Sequence, residues 1–187
     1  MAEEQVAVLD EDGAVVGVRP RSEVRRHNLR HAATAVLLRR PDGRIHVHRR
    51  SPDKDWQPSA HDAAAGGVLK AGEEPDPAAE RELAEELGVT GVPLEKLLVG
   101  RYDDDTTRYV AHVYEATYDG PLRFADGEVV WGAWMTLEEL GDRLRDPEWP
   151  FVPDTRALLD RLSREGVRDY RAVGVVAWGG PAGTPSA

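Results

Sequence analysis

The sequence predicts an α/β fold. Short apolar runs of strand length recur along the chain, and they alternate with two or three segments that carry helix caps and strong helix formers. With 187 residues, 41% of them apolar and 31% charged, the chain suits one globular core with room for a small appendage.

Composition narrows the function classes. The net charge of −10 argues against broad nucleic-acid binding, because a phosphate backbone needs a basic footprint. A small phosphorylated metabolite held through metal ions remains compatible. The absence of cysteine excludes a disulfide framework, a thiolate metal site and a thiol nucleophile. No apolar run approaches the ~20 residues that cross a membrane. The acidic start MAEEQVAVLDEDG lacks a basic-then-apolar signal pattern, so a cytoplasmic location is expected.

Val6 to Leu9 and Ala14 to Val18 flank Asp10-Glu11-Asp12-Gly13 and read as a β-hairpin with an Asp-Gly turn, which could also serve as a homodimer surface. RPRSEVRRHNLRH follows, a basic patch that either balances nearby acids or meets an anionic substrate. Ala33 to Leu38 reads as a buried strand, Pro41-Asp42-Gly43 as a turn and Ile45 to His48 as a second strand. On that strand Ile45 and Val47 alternate with His46 and His48. The histidines read as solvent-facing rather than as ligands, since no third ligand stands at a matching spacing. HRRSPDKDWQP is an ordered loop, and Ala63 to Ala65 lead into a glycine turn.

Gly67 to Val89, GVLKAGEEPDPAAERELAEELGV, is the stretch richest in chemistry. Asp76 reads as the N-cap, Pro77 as the first helical residue and Gly88 as the stop. At about 100° per residue, Glu82, Glu85 and Glu86 share one face while Leu83 and Leu87 form the adjoining apolar stripe. Like charges on adjacent turns repel, so this face is either solvated or built around a cation. Mg²⁺ takes such oxygen ligands, and a carbonyl near Gly67 could add another. Arg81 and Glu73 lie beside the face and are placed to pair and orient it.

Leu94 to Tyr102 and Tyr109 to Tyr118 read as strands joined by a polar turn carrying Asp103 to Asp105. Asp126-Gly127-Glu128 precedes a strand from Val129 to Trp134. Thr136 and Glu139 form a capping box for a helix to about Arg145, and Asp154 reads as the N-cap of a helix carrying Leu158, Leu159 and Leu162. The expected organisation is one domain over residues 1–165, made of a hairpin and basic segment at 1–30 and a core at 31–165. A C-terminal extension follows at 166–187, its last eight residues a mobile tail.

The pattern G-x(5)-E-x(7)-R-E-apolar-x-E-E-x-G-apolar, filled by Gly67, Glu73, Arg81, Glu82, Leu83, Glu85, Glu86, Gly88 and Val89, resembles the Nudix box of the Nudix hydrolase superfamily. The resemblance implies a Nudix-type α/β/α sandwich with a mixed, partly curled central sheet. It also implies a Mg²⁺- or Mn²⁺-dependent hydrolase that cleaves a diphosphate bond in a nucleoside-diphosphate-linked or related organic diphosphate. In that reading Gly67, Glu82, Glu85 and Glu86 hold metal, and Glu73 and Arg81 orient the carboxylates. Glu128 is similar to a glutamate outside the box that binds metal or takes a proton from water. Arg30, His31, Arg49 and Trp56 are the candidate substrate contacts.

The order of the hairpin, His31, HRRSPDKDWQP and the box also looks like the branch related to isopentenyl-diphosphate isomerase. Those isomerases use a cysteine where Ala65 stands, so that chemistry is not expected. His31 resembles a metal-ligand position whose companion is glycine here, so that metal site does not carry over either. A non-catalytic module that binds a nucleotide metabolite is the other alternative.

Overall fold

The structure, a computed structural model, describes residues 3–125 and 127–174. Strand β3 (His31–Arg39) is its centre, and Val36, Leu37 and Leu38 on it are all fully buried. Apolar residues at successive positions mark a strand covered on both faces. Its parallel partner β8 (Arg108–Thr117) runs in register from His31↔Tyr109 to Arg39↔Thr117. Beyond β8 lies β7 (Glu95–Asp103), antiparallel to it.

On the other side, β4 (Ile45–Arg50) touches β3 only at Arg39↔Ile45. It then diverges to pair with β9 (Val129–Met135) and the short β5 (His61–Asp62). The gap this opens along β3 is filled by β6 (Ala64–Ala65). The mixed sheet and its splitting agree with the expected curled sheet.

The alternation of β3 defines the layers. Val36 and Leu38 pack with Ala79, Leu83 and Leu87 of α2 (Pro75–Leu87). Leu37 joins Ile45, Val47, Leu140 of α3 (Leu137–Leu144), and Leu159 and Leu162 of α4 (Pro153–Glu165). An α/β/α sandwich results. The N-terminal hairpin forms as expected from β1 (Gln5–Leu9) and β2 (Val15–Pro20). Among the described residues no helix is long and apolar enough to cross a membrane.

Several expectations need correction. The basic patch contains a short helix, α1 (Arg21–Arg26), held by the buried Val24. Helix α2 starts at Pro75 with Glu74 as N-cap, because the Asp76 carboxylate accepts the Tyr114 hydroxyl on β8 instead. Helix α4 likewise starts at Pro153, and Asp154 lies inside its first turn, accepting Thr155 N–H and the Tyr109 hydroxyl. His46 and His48 are buried rather than solvent-facing, because β4 is flanked by strands and covered on both faces; their rings stack 5.8 Å apart. The fold also continues past the boundary expected at residue 165. A 3₁₀ turn, Tyr170–Val173, buries both end residues in the core, and the Tyr170 hydroxyl donates to Glu115. Asp126 and the tail expected at the C-terminus lie outside the described residues.

Candidate active site

The loop leading to α2 presses against β3. A Cβ on Gly66 would lie 2.0 Å from the Thr34 carbonyl oxygen, and one on Gly67 would lie 2.6 Å from Glu82 Oε1. At Gly66 the obstacle is backbone, so only glycine lets the loop pass there; at Gly67 it is the end of the Glu82 side chain. The Gly67 carbonyl, expected to face a cation, instead accepts Thr34 N–H at 2.9 Å, because the loop pairs with β3 like a strand. The Gly66 N–H points the other way and donates to Glu86 at 3.3 Å.

Helix α2 presents the three glutamates at different depths. Glu86 is buried, 3% exposed, and burial pushes its carboxyl well above the usual range. Lys54 opposes that shift, whereas Glu82, Asp62 and Glu128 add to it. Glu82 is also shifted upward by burial, against the pull of Arg81 at 2.6 Å. Glu85 is half-exposed and meets the same arginine at 3.1 Å.

Arg81 is itself fixed by a bidentate pair with Glu73, at 2.8 and 3.0 Å. That pair lowers the Glu73 carboxyl and raises the guanidinium. The expected pairing of Glu73 with Arg81 is present. Glu128 meets Lys54, and its carbonyl accepts Ser51 N–H at 2.8 Å, tying the start of β9 to the Lys54 loop.

The donor set suits a hard divalent cation. Among the described residues no three His, Asp or Glu side chains form a ready cage. Mg²⁺ needs none, since it takes one or two carboxylates and completes its shell with water and phosphate oxygens. Among the described residues the one hydrogen-bond donor to Glu86 is the long one from Gly66, which leaves most of a buried carboxylate's acceptor capacity unused. Glu82 and Glu86 repel one another in a buried setting, which a cation relieves.

Beside the glycine loop lies a cavity of about 190 Å³. Its cations come from α1 (Arg21 and Arg25), β4 (Arg50), the following loop (Lys54), β7 (Arg101) and α4 (Arg161). Of the expected substrate contacts, His31 and Trp56 line it. Trp56 lies under the Arg50 guanidinium at 5.7 Å and donates through Nε1 to Thr106 at 3.1 Å. Arg49 does not line the cavity; it is exposed, and its neighbour Arg50 takes the place expected for it. Arg30 is buried in a network with Glu11 and Asp103, so it clamps the hairpin turn to β7 rather than lining the cavity. Asp104 caps its own turn through Thr106 and Thr107 N–H, both at 2.7 Å.

Lys54, Arg50, Asp62, Tyr109 and Asp154 are cavity residues that sequence reasoning did not single out. For Arg50 and Lys54 the one signal was the density of charge in HRRSPDKDWQP; Asp62, Tyr109 and Asp154 lie outside it and had none.

Comparison with known proteins bears on the family and the fold. The NUDIX domain family model matches residues 29–160. A Nudix hydrolase of Rhodococcus erythropolis is 44% identical over 84% of this chain and 91% of its own length. One from Streptomyces coelicolor is 39% identical over 86% and 89%. Among solved structures, DR0079 from Deinococcus radiodurans superposes with a TM-score of 0.71 and 27% identity, covering 88% of this chain and all of its own. The NUDIX domain of NrtR from Shewanella oneidensis, solved with ADP ribose, has a TM-score of 0.57 at 19% identity over 73% of this chain and 88% of its own, a likeness of fold.

Proposed function

The chain belongs to the Nudix hydrolase family, and from that premise we propose that it is a Mg²⁺- or Mn²⁺-dependent hydrolase of a diphosphate bond in a nucleoside-diphosphate-linked or related organic diphosphate. One observation carries the reading: Glu86 is buried, poorly hydrogen-bonded and beside Glu82, and its one donor among the described residues is Gly66, a residue of the cavity lined with arginine and lysine. The box glutamates themselves do not line that cavity. The Shewanella domain solved with ADP ribose supports the nucleoside-diphosphate class.

Glu82, Glu85 and Glu86 hold the cation, which when bound supplies charge neutralisation at the phosphates and a more acidic water. Glu73 fixes Arg81, and Arg81 in turn keeps Glu82 and Glu85 from swinging away. Arg50 and Lys54, with Arg21 and Arg25 behind them, receive phosphate oxygens and raise the local concentration of an anionic substrate. Glu128 or a box glutamate accepts the proton of the attacking water. Glu128 is held for this by Lys54 and by the backbone bond to Ser51.

The test is a metal-dependent screen of nucleotide sugars, dinucleoside polyphosphates, coenzyme A, NADH and prenyl diphosphates, reading which bond breaks. Glu86→Gln should lower turnover about 10²-fold or more with the melting curve intact. Turnover that survives this substitution, or that needs no divalent cation, would sink the reading.

A further inference from the structure

Lys54 belongs to both the acidic and the basic side of the site. It lines the cavity together with Arg50, Gly66 and Gly67, yet its ammonium pairs with the Glu128 carboxylate, and its side chain is only 17% exposed. The turn that carries it is pinned by backbone. Lys54 N–H donates to the Ser51 carbonyl at 3.3 Å, and Ser51 N–H donates to the Glu128 carbonyl at 2.8 Å. The root of the side chain is therefore fixed beside the start of β9, while its four-carbon stem leaves the ammonium able to change partner.

The other cation of the glutamate face is committed elsewhere. Arg81 gives its guanidinium N–H groups to Glu73, Glu82 and Glu85, and among the described residues none of them reaches Glu86. Glu86 is buried and is repelled by Glu82, Asp62 and Glu128, and Lys54 supplies the favourable charge that opposes this. A buried carboxylate needs such a counter-charge.

A divalent cation held by Glu82 and Glu86 brings more positive charge to the same carboxylates. Cations sharing a partly buried site repel, and salt screens them poorly there. Of the two, the ammonium has an alternative partner, a phosphate oxygen in the cavity it already lines. We propose that Lys54 is a built-in counter-ion of the metal-binding carboxylates: it pairs with them before the cation binds, weakens cation binding by doing so, and is displaced from them when the cation is held. This rests on the metal-dependent hydrolase reading. It makes Lys54 a positioning residue whose ammonium becomes available to phosphate only after the metal has bound.

Mn²⁺ affinity tests the competition without any substrate. It is read by electron paramagnetic resonance of the free ion at about pH 8, where protons compete little for the carboxylates. Lys54→Met should bind Mn²⁺ about tenfold tighter than the parent, and Lys54→Arg, which keeps the charge, should match the parent. Arg161→Met removes a charge elsewhere on the cavity wall and should change the affinity by less than about threefold. In a Glu86→Gln background the gain from Lys54→Met should disappear. Where Lys54→Met folds poorly, Lys54→Gln replaces it, and a larger Mn²⁺-induced rise in melting temperature reports the same gain.

Displacement is read by NMR of the lysine ammonium groups, which is tractable because the chain has only three lysines, Lys54, Lys70 and Lys96. Saturating Mg²⁺ should move the Lys54 signal and leave that of Lys96 on β7 in place. Equal or weaker Mn²⁺ binding by Lys54→Met, an equal gain from Arg161→Met, a gain that survives Glu86→Gln, or an unmoved Lys54 signal overturns the proposal and leaves the hydrolase reading standing. Absence of Mn²⁺ binding in parent and variants alike overturns both.

Discussion

Gly66 and Gly67 are adjacent, yet adding a methyl group to each meets a different obstacle. At Gly66 the obstacle is the Thr34 carbonyl on β3, which is backbone; at Gly67 it is the Glu82 carboxylate, a side-chain end that an added methyl group would push out of its pair with Arg81. Gly66→Ala should therefore cost about 1–3 kcal/mol of stability by overpacking. Gly67→Ala should keep most of the stability and lose turnover by displacing Glu82. Urea titration and kcat on the same samples separate the two, and equal destabilisation would contradict this account. Glu73→Ala should lower kcat less than Glu86→Gln, because Arg81 keeps Glu82 and Glu85 as partners. A loss as large as that of Glu86→Gln would show that Glu73 does more than orient. The box residues were legible because fixed spacings on one helix define them. Asp62, Tyr109 and Asp154 were not, since a short strand, β8 and the first turn of α4 bring them together only in the fold. Arg49 and Arg50 show a further limit: neighbours on a strand face opposite sides, and the chain alone does not say which side is the cavity.

Among the elements, α3 was readable to its boundaries because its cap is local. Thr136 accepts Glu139 N–H at 3.1 Å, and Glu139 returns the bond to Thr136 N–H at 2.8 Å. Thr136→Ala should cost about 1 kcal/mol, which for a chain of this size lowers the melting temperature by about 2–4 °C. Activity should stay unchanged, since α3 packs on the face away from α2; a shift in KM would mean the helix reaches the cavity. The start of α2 was misplaced by one turn chemistry competing with another. Asp76 is a good cap by type, but a tyrosine from β8 claims its carboxylate, a contact between residues far apart in sequence. Helix α1 was missed because six residues carry too little periodicity to stand out, and the buried Val24 that anchors it is a tertiary feature.

At the scale of the whole molecule, β4 sets the response to acid. His46 and His48 sit on its inner side, where Phe124 and Trp134 pack against His46. Burial, with Arg50 and Lys54 near His48, holds both rings down to about 3. An unfolded chain binds protons at these rings at about 6.5, so between about 3 and 6.5 the unfolded state holds protons that the folded state does not. Stability therefore falls as pH drops below about 6.5, by about 2 kcal/mol per ring at pH 5, or about 4 for the pair. Asp154 works in the opposite sense. With its carboxyl up at about 6, the folded state holds the proton between about 4 and 6, and acidification to about pH 5 returns about 1–1.5 kcal/mol. Asp62 and Glu86, shifted upward as well, act in the same direction as Asp154. The slope of the unsubstituted protein is thus a contest, and the histidine share must be read as a difference. The His46→Gln, His48→Gln double variant should lose about 4 kcal/mol less than the parent between about pH 7.5 and 5 in urea titrations, whatever the substitutions cost at neutral pH. Identical losses in the two proteins would mean that the rings reach solvent or a buried counter-charge, and that β4 is not sealed on both faces.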